Sequence, residues 1–88
     1  MPKFMSSHTL PPGAMKREQV DQLAEAAKND PVIKPYRSFC NLSAGKITCV
    51  MEAPDAPTLA AWFEKMSVPC DGITEVELEG ERGVVKDA

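Results

Sequence analysis

The chain has 88 residues, with ten basic and 13 acidic side chains and a formal net charge of −3. This length predicts one small domain with a single core. The acidic balance argues against charge-driven binding to nucleic acid and against a polybasic membrane surface. No apolar run approaches the roughly 20 residues that span a bilayer. Residues 1–4 lack the apolar segment of a signal peptide, so the expected location is the cytoplasm.

The first predicted elements are a strand over residues 4–10 and a helix over residues 16–28. Two prolines and a glycine at 11–13 end the strand, because proline cannot donate to a sheet ladder. The helix has one apolar stripe, in which hydrophobic residues recur at the spacing of helical turns. Since this stripe is narrow and rich in alanine, we expect the helix to lie close to the sheet. The stripe consists of Val20, Leu23, Ala24 and Ala27.

Residues 33–41 and 46–53 predict a second and a third strand, joined by a tight hairpin. The simplest connection is a two-residue loop at Ala44-Gly45. In that register an ion pair and an apolar pair match on one face. On the other face, two thiols are directly opposite each other. The pairs are Arg37 with Glu52, Phe39 with Val50, and Cys40 with Cys49.

A second helix is predicted to begin after Asp55, whose side chain suits the N-cap position. Its apolar stripe is the strongest in the chain and contains Leu59, Trp62, Phe63 and Met66. Residues 73–78 predict a fourth strand. We expect one domain over residues 1–80 and a charged C-terminal tail over residues 81–88.

The order β-α-β-β-α-β predicts an α+β fold of the ferredoxin-like type, with two helices on one face of a four-stranded antiparallel sheet. The helices cover only that face. Apolar residues occur at both parities of the predicted strands, for example Phe39 and Val50 against Ile47 and Met51. A one-sided sheet does not need that much apolar surface. We therefore expect a homodimer that packs through its sheet faces, as in dimeric α+β barrels.

Several short blocks of the chain resemble a small nickel-binding, ferredoxin-like family that was formerly a domain of unknown function. Residues 45–56, which read GKITCVMEAPDA, look like the third strand and helix start of that family. Residues 1–5 with His8 are similar to its first strand, and residues 68–76 to its closing turn and last strand. Arg37 stands where many members have arginine. The resemblance covers residues 1–78 and implies a small dimer that holds a divalent transition metal through histidine.

The resemblance assigns a metal role to His8, the single histidine of the chain, which matches a histidine in the first strand of many members. Neutral imidazole is a good ligand for nickel or zinc. Family members usually carry one or two further histidines in the second helix, where residues 61–66 of this chain read AWFEKM. One histidine in each chain is too few for a tight site, so other ligands or a second copy are needed.

Cys40 and Cys49 are the other candidate metal ligands, because two neighbouring thiolates suit a soft metal such as nickel, zinc or copper(I). The same pair could form a labile disulfide or simply fill buried sheet positions. Cys70 is expected in an exposed turn before Asp71-Gly72. No Cys-x-x-Cys pair occurs, which excludes a zinc ribbon or a thioredoxin-type motif.

The first functional hypothesis is thus a cytoplasmic, homodimeric metal-binding protein with nickel or a similar divalent ion and no enzymatic activity. The second is a dimeric-barrel enzyme, such as a cofactor-free monooxygenase or isomerase that acts on a small organic molecule. That hypothesis rests on fold analogy. The third is a structural or interaction module without a ligand. No Ser-His-Asp set, glycine-rich phosphate loop or His-Glu-x-x-His helix is present.

Overall fold

The first strand buries every second side chain, Phe4, Ser6 and His8, and it lies in the interior of the sheet with a partner strand on each side. In a computed structural model of residues 1–88, the strand order is β2-β3-β1-β4, and every neighbouring pair is antiparallel. This is the predicted ferredoxin-like arrangement, followed by a separate two-stranded sheet of β5 and β6. The elements are β1 Lys3–Thr9, α1 Arg17–Lys28, β2 Lys34–Asn41, β3 Lys46–Glu52, α2 Ala56–Lys65, β4 Gly72–Glu75, β5 Leu78–Glu81 and β6 Val84–Asp87.

Helix α2 provides three of the nine residues of the core cluster, more than any other element. Its N-cap is Asp55, as predicted, and the Asp55 carboxylate accepts a hydrogen bond of 2.8 Å from the backbone N–H of Thr58. Three side chains of α2, Leu59, Trp62 and Phe63, are buried. They belong to a core cluster whose other members are Phe4, Ala27, Ile33, Met51, Ala53 and Val68. The strongest apolar stripe of the sequence therefore belongs to the helix with more buried side chains.

Helix α1 lies against β2, as expected, but it packs less completely than α2. Of its residues only Ala27 is buried, while Val20 and Leu23 are half-buried and Ala24 is exposed. A cleft of about 310 Å³ remains between α1 and the sheet. The C-terminal half of α1 packs on the core cluster through Ala27, with Leu23 and Ala26 beside it, and the cleft remains next to this contact.

The β2–β3 hairpin has a longer connection than the predicted two-residue loop. The strands pair Asn41 with Lys46 and Cys40 with Ile47, so residues 42–45 form a four-residue loop. Compared with the predicted register, β2 is displaced by two residues, which preserves the face of each side chain. Ser38, not Cys40, is directly opposite Cys49.

The same displacement, with a β-bulge between Pro35 and Arg37, changes the partners of the ion pair and the apolar pair. Arg37 is opposite Val50 instead of Glu52, and Phe39 is opposite Thr48 instead of Val50. The Arg37 guanidinium contacts the Glu81 carboxylate at 3.2 Å, so its partner is the C-terminal hairpin.

That hairpin replaces the expected tail over residues 81–88. Arg82 and Gly83 both have positive φ, 51° and 82°, which is the conformation of a two-residue type I′ turn. The Lys3 ammonium donates a hydrogen bond of 2.8 Å to the Glu79 carboxylate, and it also lies 4.3 Å from the centre of the Tyr36 ring. These contacts fix β5 to the start of β1. The predicted fourth strand accordingly divides into β4 and β5.

Gly45 is required by a contact that the hairpin alone does not reveal. Its φ is +71°, and a Cβ atom there would overlap the backbone carbonyl of Leu10. Gly83 has a similar φ of +82° but open space around the Cβ position. The two glycines therefore separate the effect of backbone conformation from the effect of close packing.

We expect Gly45→Ala to destabilise the protein more than Gly83→Ala. Backbone strain alone costs Gly83→Ala about 1–2 kcal/mol. At Gly45 the overlap with Leu10 adds about 1–3 kcal/mol. Denaturant unfolding of both variants measures the difference, and equal destabilisation would contradict the close contact with Leu10.

Docking of the β5–β6 hairpin is expected to weaken in acid. The hydrogen bond from Lys3, together with one from Tyr36, holds the pKa of Glu79 below its ordinary value. A carboxylate with a lowered pKa stabilises the folded state above its unfolded pKa of about 4.3, and this contribution is lost as the pH falls through the folded value. The same ion pair raises the pKa of Lys3. The stabilisation that comes from protonated Lys3 is therefore lost only at strongly alkaline pH, where Lys3 loses its proton.

The measurement is amide hydrogen exchange in β5 and β6 between about pH 7 and about pH 3. We expect protection of these amides, corrected for intrinsic exchange, to fall below about pH 4.3. Glu79→Gln removes the titrating group and should remove this pH dependence. Protection that is equally pH-dependent in the variant would assign the effect to another group.

Candidate functional site

The structure places the three predicted ligand residues, His8, Cys40 and Cys49, around one cleft. This cleft, which we call the α1 cleft, lies between α1 and the helix-covered face of β1–β3. Of its 17 lining residues, 13 are hydrophobic. The two cysteines share one face of the sheet, as predicted, and that face is covered by the helices. The prediction that they are directly opposite is wrong, because they are offset along their strands. All three cysteines are free thiols.

His8 is held rigidly at the inner end of this cleft. Its side chain is 2% exposed, and its ring makes an edge-on contact with Phe63 at a centroid distance of 4.4 Å. The Pro69 carbonyl oxygen lies 2.7 Å from Nδ1, and Ser6 Oγ lies 2.9 Å from Nε2. A carbonyl can only accept, so Nδ1 carries the proton and donates it to Pro69. In the neutral ring, Nε2 then accepts a hydrogen bond from the Ser6 hydroxyl.

Ser6 connects the histidine to one of the thiols. It is directly opposite Cys49 in the β1–β3 register and two residues before His8, so all three side chains are on the helix-covered face. Sequence analysis did not identify Ser6. The spacing of Ser6 and His8 could have predicted their contact, because residues two apart on a strand share a face. The contact with the Pro69 carbonyl could not be predicted from local spacing, since Pro69 lies in a loop 61 residues from His8.

Both cleft thiols are held in the protonated form at neutral pH. Burial raises the pKa of Cys49 to about 11, and the neighbouring Cys40 contributes to that increase. Burial also raises the pKa of Cys40. The thiolate is the nucleophile and the metal ligand, so neither thiol is activated for covalent chemistry in this environment. Any metal that binds here must displace protons from sulfur.

Cys70 is exposed, as expected for a turn, and it does not line the α1 cleft. Of the large residues of α2, Trp62 lines the cleft, whereas Phe63 contacts His8. No group of three or more His, Cys, Asp or Glu side chains is close enough to enclose a metal ion. The single chain thus offers separate donors around a cleft instead of a closed coordination set.

The opposite face of the sheet, the outer face, carries exposed apolar side chains. Met5 is 46% exposed and Phe39 is 63% exposed, and Val50 is half-buried beside them. The pairing of β1 with β3 and of β2 with β3 shows that these side chains point away from the helices. His8 has the other parity and is buried under the helices. Two copies that met through their outer faces would therefore not bring their His8 side chains together.

No helix of the structure combines the length and the apolar character needed to cross a membrane.

Comparisons with known proteins agree with this fold. The model of the family described as nickel responsive protein SCO4226-like matches residues 4–76. The crystal structure of SCO4226 from Streptomyces coelicolor A3(2) is similar, with 25% sequence identity and a TM-score of 0.74. The alignment covers 89% of this chain and 99% of that chain. No curated protein matches the sequence.

Proposed function

Since the chain belongs to the SCO4226-like family of nickel responsive proteins, we propose that it binds nickel or a similar divalent transition metal in the α1 cleft. The proposed ligands are His8, Cys40 and Cys49, all of which line that cleft. Imidazole nitrogen and thiolate sulfur are donors that suit nickel, zinc and copper. Three free cysteines suit the reducing cytoplasm, where we place the protein.

The observation that carries this proposal is the fixed tautomer of His8. Histidines that bind metals almost always donate the other ring N–H to a carboxylate, a backbone carbonyl or water. His8 donates Nδ1–H to the Pro69 carbonyl at 2.7 Å, which leaves the Nε2 lone pair as the donor to a metal. The Ser6 hydroxyl now occupies that lone pair at 2.9 Å and must turn away when an ion binds.

The donor types fit nickel, but the free protein does not hold them close enough together to enclose an ion, so binding requires the three side chains to move toward one another. One nitrogen and two thiols from a single chain leave coordination positions for water or another small ligand. The two thiols are protonated in the free protein, since burial raises the pKa of Cys49 to about 11. Nickel bound there would be held as an exchangeable ion, as expected for a protein that responds to nickel instead of storing it permanently.

We expect Cys40→Ser and Cys49→Ser to weaken nickel binding by at least about tenfold, the effect that loss of even an outer-sphere partner can have. Titration calorimetry with nickel, zinc and cobalt on chelator-treated protein without a histidine tag measures this. His8→Gln tests the nitrogen ligand, and circular dichroism verifies that each variant is folded.

Cys70→Ser is the matched control, because Cys70 is a free thiol outside the cleft. It should bind nickel as the wild type does. Absence of nickel binding by the wild type would overturn the proposal. Equal affinity of all the cysteine variants would exclude the two cleft thiols as ligands.

We further propose that the protein is a homodimer that packs through its outer faces. Met5, Phe39 and Val50 form an apolar area there that no part of the chain covers. The β5–β6 hairpin lies beside it, since Lys3 and Arg37, both of outer-face parity, bind Glu79 and Glu81. An isolated two-stranded hairpin is marginally stable in water. Its exposed residues Leu78, Val84 and Val85 would gain burial against a second copy.

Phe39→Lys is expected to shift the protein toward monomers, with a dissociation constant raised by at least about tenfold, because truncation of a central aromatic residue costs about 2 kcal/mol or more. Sedimentation velocity over a range of concentrations measures this shift. Val32→Lys is the control, because Val32 is 44% exposed but precedes β2 and lies off the outer face. A wild-type protein that is monomeric at about 100 μM, an affinity weaker than about −5.5 kcal/mol, would contradict the dimer.

A further inference from the structure

The α1 cleft has a second property, which the proposed metal site does not use: most of its volume is apolar. On the α1 side its wall consists of Met15, Val20, Leu23, Ala24 and Ala27. Three of these, Met15, Val20 and Leu23, are only half-buried. Apolar side chains at helical spacing normally reach the sheet. Here they face a space of about 310 Å³.

The space results from small side chains on both sides. The helix contributes Ala24 and Ala27, and the sheet contributes Ser38, Cys40 and Cys49 opposite them. Protein interiors are otherwise packed as densely as organic crystals. Atoms that line an unfilled gap lose the dispersion contacts that neighbours would provide. A molecule that fits the cleft would restore these contacts without any change in the fold.

The volume of the cleft limits the size of such a molecule. Ligand sites for small molecules begin at about 300 Å³, and an apolar cavity of about 150 Å³ binds benzene. A space of about 310 Å³ therefore accommodates about two fused six-membered rings. Trp62 and Met51 provide the larger apolar surfaces against which such rings could pack.

The polar groups of the cleft further restrict the chemical class of ligand that it can bind. No carboxylate lines it, and its single cationic residue, Arg37, is already paired with Glu81 at 3.2 Å. Both ring nitrogens of His8 are already bonded, to Ser6 and Pro69. The Tyr36 hydroxyl is bonded to Glu79. Ser38, which is exposed, is therefore the lining residue whose side chain is available to hydrogen-bond a neutral group. A charged ligand would lose its hydration here without gaining a free counter-ion.

We infer that the α1 cleft binds a small, uncharged and mainly apolar organic molecule of about two rings that carries one hydroxyl group. The apolar part packs between α1 and the sheet, and the hydroxyl group hydrogen-bonds Ser38. This inference does not depend on nickel, because the apolar wall on α1 contains none of the proposed metal ligands.

The test uses chelator-treated protein and three probes: 1-naphthol, naphthalene and 1-naphthoate. Nuclear magnetic resonance titration should show binding of 1-naphthol, with the largest shifts at Val20, Leu23 and Ala24. We expect 1-naphthoate to bind at least about tenfold more weakly, since its charge must be desolvated. Naphthalene should bind several-fold more weakly than 1-naphthol, and Ser38→Ala should reduce that preference.

Ala24→Leu fills the cleft from the helix side and leaves all three proposed metal ligands unchanged in sequence. It should weaken 1-naphthol binding at least about tenfold and raise the melting temperature, as cavity-filling changes commonly do. Ala61→Leu makes the same change at an exposed position of α2 outside the cleft, and it should leave binding unchanged.

Two results would overturn the inference: no binding of 1-naphthol at about 1 mM, an affinity weaker than about −4 kcal/mol, or equal binding by the Ala24→Leu and Ala61→Leu variants. Because the titrations use metal-free protein, failure here leaves nickel binding to be judged by calorimetry. Failure of nickel binding likewise leaves the organic-ligand site intact.

Discussion

The packing of α2 on the sheet determines the position of everything else in the site. Leu59, Trp62 and Phe63 are buried against the helix-covered face of the strands. This contact fixes the loop after α2, and therefore the Pro69 carbonyl that orients His8. Phe63 also touches the His8 ring directly, at a centroid distance of 4.4 Å. A shift of α2 would thus move the histidine and the inner end of the cleft together.

The contrast between the two helices explains why the site is where it is. Helix α2 has large side chains at the positions that face the sheet, and these fill the space between α2 and the strands. Helix α1 has Ala24 and Ala27 at its corresponding positions and leaves its half open. The single core expected for a chain of this size therefore lies mainly under α2, and α1 joins it through Ala27 beside the cleft. The metal and the organic ligand that we propose would share this cleft.

The order of the elements, the α2 stripe and the Asp55 cap could be predicted from the sequence, because each depends on local periodicity or a local hydrogen bond. The β2–β3 register could not, since a four-residue loop and a two-residue loop give the same faces. What distinguishes them is the contact between Gly45 and Leu10, which joins residues 35 positions apart. The cleft was missed for a similar reason. Its volume depends on side chains of several elements at once, and no single stripe encodes it.

Strand β2 has a further consequence for the behaviour of the chain at high concentration. It is an edge strand in which every residue is exposed, and such strands can recruit other chains into extended sheets. Three features oppose this: Lys34 at its start, Pro35 without an N–H group, and an irregularity between Pro35 and Arg37. The first part of the edge is thereby unsuited to continuous ladder formation. The remaining stretch of the edge, around Phe39, is where uncontrolled fibrillar growth would have to begin.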